Sequence, residues 1–268
     1  MNSIFDFARF RRYFRYDLAM AGNKAGASIL VLMFFPLYSF FFYQLFSYLF
    51  AGHMSPMGIG NSITAYIICF CITVISFPMR CYGGITRRGA GSNWVLRPAS
   101  ALEKFLSLLL VTCVVLPVVW LAGMVFSEWL LSVAFPEYIS FGLPRIIGKL
   151  NALLAEVHAD DGTTLAMSTP VALYLSWCEN ILVFTLGAVF FRKNKVVSTF
   201  LAIIVLGVAL SVFSVPVMKS IGGMNFVSVS PDSNTIVHYM NVTVYGIYIV
   251  VFTLLDLGIY FRIKTIKH

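Results

Sequence analysis

Three carboxylates that interrupt long apolar runs are the residues of this chain best placed to do chemistry. They are Glu128, Glu179 and Asp256. Exposing a carboxylate to lipid costs at least about 2.5 kcal/mol, so each side chain must reach water, pair with a cation, or face a cavity or another helix. Glu128 lies near the end of its apolar segment and is expected to reach water. The other two are candidates for contact with a cargo.

The depths of Glu179 and Asp256 separate their expected roles. At about 1.5 Å per helical residue, Glu179 lies about 12 Å and Asp256 about 21 Å from the start of its segment, so the two are not expected to share a proton. Asp256 is close enough to Arg262 or Lys264 for an ion pair, because flexible cations reach back from helix ends. Glu179, with Asn180 beside it, is the better candidate for an internal cavity or a helix contact.

Catalytic and metal-binding patterns are not found in the sequence. There is no Ser, His and Asp arrangement and no carboxylate pair of a hydrolase, and the five cysteines and four histidines have no metal or redox spacing. The sequence at 142–150 is not a phosphate loop, because it has one residue too many between its glycines and no hydroxyl residue after the lysine. The chain is therefore predicted to be no enzyme and to bind no metal or cofactor. Any ATP must be hydrolysed by another chain.

Six apolar segments are long enough for helices that cross a hydrocarbon core about 30 Å thick, which takes about 20 residues. They are 27–50, 63–79, 106–126, 171–191, 196–215 and 242–261. With 59% hydrophobic and 11% charged residues, the composition excludes a soluble globular domain. The sequence predicts an all-α integral membrane protein with six transmembrane helices, forming a single domain over residues 1–268.

The basic residues indicate how these segments are oriented. Sixteen of the nineteen Lys and Arg residues fall before the first segment, between the second and third, between the fourth and fifth, or after the sixth. By the positive-inside rule, both termini are cytoplasmic in a multi-pass protein of a cell membrane. The net charge of +8 is explained by attraction of these short clusters to anionic lipid headgroups, so nucleic acid is not expected as a partner.

Residues 1–24 are predicted to form a cytoplasmic amphipathic helix. At about 100° per residue, one half of the helix is apolar and the other basic, although Asp6 and Asp17 lie at the edge of the apolar arc. The apolar half holds Phe7, Phe10, Phe14 and Leu18, and the basic half holds Arg9, Arg11, Arg12 and Arg15. Two interpretations remain open: a helix in the plane of the membrane interface, or one packed against the end of the bundle.

The cytoplasmic segment 80–104 is the longest on its face, and its glycines and adjacent arginines, Arg87 and Arg88, predict an irregular exposed loop. Ser100 followed by Glu103 is a capping box, in which each side chain satisfies a free amide at the start of a helix. The third membrane helix is therefore predicted to begin at Ala101.

These residues carry a resemblance to a known family. The run Arg97-Pro98-Ala99-Ser100-Ala101-Leu102-Glu103-Lys104 resembles the Pro-Ala-Ser-x-x-Glu-Lys stretch of six-span permeases of ATP-binding-cassette exporters. Gly187-Ala188-Val189-Phe190-Phe191-Arg192, at the end of the fourth span, is similar to the Gly-x-x-Phe-Phe-Lys/Arg ending of bacterial members, the type-2 exporter permeases.

The resemblance implies a permease subunit of the bacterial cytoplasmic (inner) membrane that moves a substrate by alternating access. ATP and magnesium would bind to a separate ATPase, which docks on the 80–104 segment, and a second permease chain would complete a homodimer or heterodimer. The residues expected to contact the ATPase are Arg87, Arg88, Asn93, Trp94 and Arg97.

The external loops depart from the family pattern. Family members commonly have short helices between the fifth and sixth spans, but residues 216–241 are rich in Gly and Ser and show no helical period. An amphipathic period appears instead at 145–157, within the external loop 127–170, and predicts a helix there.

Two other functions are compatible with the sequence. A membrane assembly or regulatory protein without a translocation pathway would have no ATPase partner. A proton-driven carrier would need acids that titrate during transport, and Glu179 is the single plausible core acid. Pro36 and Pro117 are expected to kink their spans, which membrane helices tolerate when neighbours satisfy the released carbonyls.

Overall fold

The computed structural model of the chain describes residues 5–86, 94, 96–139, 148, 169–222 and 233–266. This part of the chain is helical and contains no β-strand. Its helices are α1 (Phe7–Met33), α2 (Phe35–Ala51), α3 (Ile59–Cys81), α4 (Ala101–Leu109), a π-helical turn (Leu110–Val115), α5 (Leu116–Ala134), α6 (Thr169–Phe190), α7 (Lys195–Gly222) and α8 (Ser233–Thr265).

The described helices are those of a multi-pass membrane protein. Five helical stretches are long and apolar enough to cross a membrane: Phe7–Ala51, Gly60–Cys81, Ala101–Ala134, Leu173–Phe190 and Gly246–Thr265. The fifth predicted span lies in α7, where the apolar stretch Lys195–Val208 is shorter. The predicted external helix at 145–157 lies outside the described residues.

α1 is longer than the predicted amphipathic helix and continues without a break from Phe7 to Met33. It packs against α3, α4 and α5. Its buried residues recur every four positions at Tyr13, Asp17, Ala21 and Ala25, which is the spacing of one helix face. The start of α1 is therefore packed against the end of the bundle, as in the second of the two interpretations, while Phe7 and Leu18 remain exposed.

Pro36 divides the first span into two helices. α1 ends at Met33, and Pro36 lies in the first turn of α2, where its missing N–H costs nothing. Proline leaves the carbonyl four residues earlier, that of Leu32, without its helical donor. The Cys69 thiol of α3 donates to this oxygen at 3.2 Å, so a neighbouring helix satisfies it.

Pro117 has a similar effect on the third span. In the π-helical turn before it, each N–H bonds to the carbonyl five residues earlier, and in α5 to the carbonyl four residues earlier. Pro117 lies where the two patterns meet and has no N–H, so it cannot donate to Thr112 O or to Cys113 O. The Tyr174 hydroxyl donates to Cys113 O at 3.0 Å, and Trp177 Nε1 donates to Thr112 O at 3.4 Å. Two side chains of α6 thus donate to the two carbonyls at this junction, one of which would otherwise accept the N–H that proline lacks.

α6 is the central helix, because it packs against α3, α7, α8 and the π-helical turn. Its contact with α7 depends on Gly187, where an added Cβ would collide with the Thr199 side chain. Small residues allow this close approach of membrane helices. The glycine of the Gly-x-x-Phe-Phe stretch therefore has a packing role.

Residues 216–241, whose sequence shows no helical period, are helical in the two parts that the structure describes, 216–222 and 233–241. The backbone of α7 continues through Pro216 to Gly222, and α8 begins at Ser233. Once a helix exists, each added residue brings one more hydrogen bond, so it can extend without an amphipathic period.

Candidate functional site at the basic end of the bundle

The basic clusters meet at one end of the helix bundle. Lys24 Nζ donates to Cys81 O at 3.3 Å, and the Arg80 side chain donates to the Ser28 hydroxyl. Arg262 donates to Val189 O at 3.4 Å. We call this end of the bundle the basic end. It contains the described part of the 80–104 segment and the start of α1.

The Glu103 carboxylate joins these two elements. Its side chain is fully buried and accepts from Arg9 Nη2 at 2.7 Å and from the Asp6 amide at 2.9 Å. Arg9 Nε lies 2.8 Å from the other carboxylate oxygen, which makes the contact two-pronged. The first turn of α1 is thereby held on the first turn of α4.

Glu103 also closes the predicted capping box. Glu103 Oε2 accepts from the Ser100 amide at 2.9 Å, and the Ser100 hydroxyl accepts from the Glu103 amide at 3.2 Å. α4 begins at Ala101, as the sequence predicts. Burial raises the pKa of Glu103, but the bonds from Arg9, Asp6 and Ser100 outweigh this effect and leave the pKa below its usual value. The carboxylate is therefore ionised at neutral pH.

Asp17 is a second buried carboxylate at this end, and its position at the edge of the apolar arc did not predict its burial. It is 1% exposed and accepts from the Ser107 hydroxyl at 2.7 Å and from Tyr82 Oη at 3.3 Å. Burial raises its pKa, while these bonds and the charges of Lys24 and Arg97 oppose the rise. The signal in the sequence was an acid at the edge of the apolar arc of α1.

Of the residues predicted to contact an ATPase, Trp94 and Arg97 belong to the described part of the chain, and Arg87, Arg88 and Asn93 do not. Trp94 is 8% exposed and belongs to the buried hydrophobic core. Lys104 donates to its carbonyl at 2.9 Å and lies over its ring. Trp94 therefore offers little surface to a partner. Arg97 is half-buried, with its guanidinium 3.1 Å from the centre of the Tyr16 ring.

Within the described part of the segment, the large apolar side chain that is exposed is that of Leu96, next to Arg97, at 79%. Pro98 is also exposed. Sequence reasoning missed Leu96, because hydrophobicity alone does not distinguish it from the buried Trp94 two positions earlier. Leu96 and Pro98, on either side of the half-buried Arg97, form the exposed tip of the described part of the segment.

Lys195 fixes the other end of the 80–104 segment. Its ammonium donates to the carbonyls of Gly83 and Ala188, and the Thr86 hydroxyl donates to Phe191 O at 3.3 Å. The turn after α3 is thus bound to the turn between α6 and α7. The segment is anchored on both sides of its exposed tip.

The three intramembrane acids occupy different environments. Glu128 is 3% exposed, so the expectation that it reaches water is wrong: α5 turns this face toward α3, where Tyr66 lies close to it. The expected ion pair of Asp256 is also not made. One Asp256 oxygen is buried without a hydrogen bond, because Arg262 turns instead to Val189 O and the Phe190 ring.

Glu179 and Asn180 lie on a half-buried face of α6. Asn180 donates to Ser176 O of its own helix at 2.8 Å. Among the described residues, no hydrogen bond or ion pair reaches Glu179, and none joins it to Asp256. The predicted pathway residues Glu179, Asn180 and Asp256 are therefore not gathered into one cluster within this chain.

The geometry at the basic end is suited to mechanical attachment more than to bond chemistry. The described part of the chain contains no group of three side chains that could hold a metal ion. At the basic end, buried ionic groups connect the helices, and the 80–104 segment that they hold has an exposed tip. Comparisons with protein-family models, with curated proteins and with solved structures found no match to this chain.

Proposed function

We propose that this chain is the membrane-spanning permease subunit of an ATP-binding-cassette exporter, with six spans and both termini in the cytoplasm. The main observation in support is that the 80–104 segment at the basic end is held in place on both sides of its exposed tip. Glu103 joins it to α1, Lys195 joins it to the α6 to α7 turn, and Leu96 projects from it. A push on this tip is transmitted to several helices at once.

The same arrangement supports a partner that carries the nucleotide. Packed helices transmit displacement because protein interiors are close-packed and compress little. Since the sequence contains no phosphate loop, ATP and magnesium would be bound by a separate ATPase below the tip. A second permease chain, identical or similar, would complete the pathway in a bacterial cytoplasmic membrane.

The experiment is purification of the tagged chain from its native membranes, followed by mass spectrometry and an ATPase assay. We expect a chain with a phosphate-binding loop to copurify in near-stoichiometric amount. Charge reversal with Arg87→Glu and Arg88→Glu should reduce its recovery at least tenfold without changing the amount of membrane-inserted protein.

The matched control is Arg192→Glu with Lys193→Glu, which reverses two exposed charges on the turn after α6. ATPase recovery should stay near the wild-type amount in this variant. If no ATPase copurifies with the wild type, the assembly or regulatory alternative is favoured. An ATPase that copurifies equally with both variants would remove the Arg87 and Arg88 region from the docking role.

A further inference from the structure

A cavity of about 290 Å³ lies at the basic end, between α1 and the 80–104 segment. Its volume is close to the lower end of the range for ligand pockets, about 300–1,000 Å³. Lys24 and Arg97 supply its positive charge, Tyr16 and Trp94 its aromatic surface, and Met20 and Ile85 its apolar surface. These groups suit a ligand with both an anionic and an apolar part.

The two cations keep hydrogen-bonding capacity for a ligand. Within the described residues, the Arg97 guanidinium has no hydrogen-bond acceptor and no carboxylate partner, since its contact is with the face of Tyr16. Lys24 is exposed and makes one bond, to Cys81 O. An arginine fork and an ammonium together match the oxygens of a phosphate group.

The local charge balance also favours an anion. Asp17 is the carboxylate that interacts with both Lys24 and Arg97, so two cations face one buried acid. That acid is not among the residues that line the cavity. One of its oxygens accepts from Ser107 and Tyr82, and the other is buried without a hydrogen bond. The surroundings of the cavity therefore remain net positive even when Asp17 is ionised.

The position of the cavity indicates where the anion comes from. Lys24 lies three residues before the first apolar segment at 27–50, and Cys81 lies two residues after the second at 63–79. The cavity thus lies at the depth where two spans leave the hydrocarbon core, which is the level of lipid headgroups. Buried Ile85 and Trp94 form its apolar side.

We propose that this cavity binds the phosphate headgroup of an anionic phospholipid from the leaflet at the basic end, with Lys24 and Arg97 as its ligands. The bound lipid would bridge α1 and the 80–104 segment, adding a contact parallel to the Arg9 to Glu103 pair. This site requires neither an ATPase nor a second permease chain.

Native mass spectrometry of the detergent-purified protein tests this assignment. The protein is titrated with short-chain phosphatidylglycerol, with phosphatidylcholine of the same chain length, and with inorganic phosphate as a competitor. We expect one retained phosphatidylglycerol, bound at least tenfold more tightly than phosphatidylcholine and not displaced by equimolar phosphate. Equal retention of the two lipids overturns the proposal. Displacement by equimolar phosphate would assign the cavity to a free anion and also overturn it.

Variants locate the site. Lys24→Gln with Arg97→Gln should weaken retention about 25-fold, since each cation near an anionic headgroup contributes about fivefold. Arg11→Gln with Arg15→Gln removes the same charge from an exposed part of α1 and should leave retention unchanged. Arg97→Lys keeps the charge and loses the guanidinium fork, so its lipid retention should lie between the retentions of these two variants. It replaces Lys24→Gln with Arg97→Gln as the test if that variant folds poorly. Equal binding by all three variants would show that the lipid lies elsewhere.

Discussion

The Arg9 guanidinium contacts both oxygens of the Glu103 carboxylate across a sequence separation of 94 residues. Arg9 is partly exposed, whereas the Glu103 side chain is fully buried. Removal of one partner from such a pair costs more than the pair contributes, because it leaves a buried charge without compensation. The pair therefore makes the position of α1 on α4 specific.

Arg9→Gln should lower the unfolding temperature of the purified protein by several degrees, because it leaves the buried Glu103 carboxylate with backbone donors alone. Arg12→Gln, an exposed change on the same helix, should leave it within about a degree. Glu103→Gln combined with Arg9→Gln should cost less than the sum of the single changes. Additive costs, measured by fluorescence-detected thermal unfolding, would contradict the coupling.

Ser100→Ala tests the capping box separately from the ion pair. Loss of a serine cap costs about 1 kcal/mol, and the Glu103 amide then loses its acceptor. Ser100→Asp keeps an acceptor at the start of α4 and should retain most of the stability. Equal destabilisation by both changes would show that the cap contributes little.

Asp17 and Glu103 are predicted to respond to pH in opposite directions. The pKa of Glu103 is lowered on folding, so its contribution is present above the unfolded pKa of about 4.3 and is lost as pH falls through the folded value. The pKa of Asp17 is raised, so its folded state binds the proton more tightly. Asp17 therefore lowers stability as pH rises from about 3.9 through its folded pKa.

Asp17→Asn removes this ionisation and should make the protein as stable as the wild type at pH 4 and more stable at pH 7. The difference between the two proteins, followed by thermal unfolding between these pH values, isolates Asp17 from all other groups. A variant that is less stable than the wild type at pH 7 would show that the charge of Asp17 is favourable in the folded protein.

The parts of the fold that depend on neighbouring residues were accessible from the sequence, and those that depend on distant ones were not. Ser100 and Glu103 form a local motif, so the start of α4 could be predicted to the residue. Asp17 becomes a buried acid because of Ser107, 90 residues away. Pro117 predicted a kink in the third span. The side chains that donate to the nearby carbonyls of Cys113 and Thr112 come from α6, 61 and 65 residues away from them, and could not be predicted.

The repair of the Pro117 break by α6 can be tested with a double-mutant cycle. Tyr174→Phe removes the hydroxyl that donates to Cys113 O and should cost about 0.6 kcal/mol, the average for hydrogen bonds between membrane helices, and at most about 1.7 kcal/mol. Pro117→Ala restores a backbone N–H, so Tyr174→Phe should cost less in that background. Tyr248→Phe serves as the control, since the described contact of Tyr248 is with the Phe252 ring. The same cost in both backgrounds would separate Tyr174 from the proline.

Close packing at Gly187 predicts a strong effect of a single methyl group. Gly187→Ala should destabilise the protein by about 1–3 kcal/mol, the usual cost of overpacking, because its Cβ would collide with Thr199. Thr199→Ala removes the two nearest atoms and should restore part of the loss. Gly22→Ala meets no atom within 4 Å and should be neutral or stabilising, since alanine favours a helix. Similar costs at both glycines would show that α7 can move away.

Glu179 is expected to face water or a second chain, because a half-buried carboxylate without a described hydrogen bond is costly against lipid. Glu179→Gln keeps the size and polarity of the side chain and removes its charge. Under the transport proposal, this change should reduce substrate-stimulated ATPase activity several-fold with little loss of protein. Asn180→Ala is the control at the neighbouring position. It should reduce ATPase activity less, because Asn180 already bonds to Ser176 of its own helix.

Thiol labelling at the same position decides whether Glu179 reaches water. The background lacking native cysteines should carry Cys69→Ser rather than Cys69→Ala, because residue 69 must still donate to Leu32 O, while the other four cysteines can become alanine. Glu179→Cys should then react with a membrane-impermeant thiol reagent at a rate that changes with the nucleotide state of the ATPase. If the cysteine is inaccessible in every state and Glu179→Gln is fully active, Glu179 has no place in a pathway. Glu179 would then be a buried structural residue.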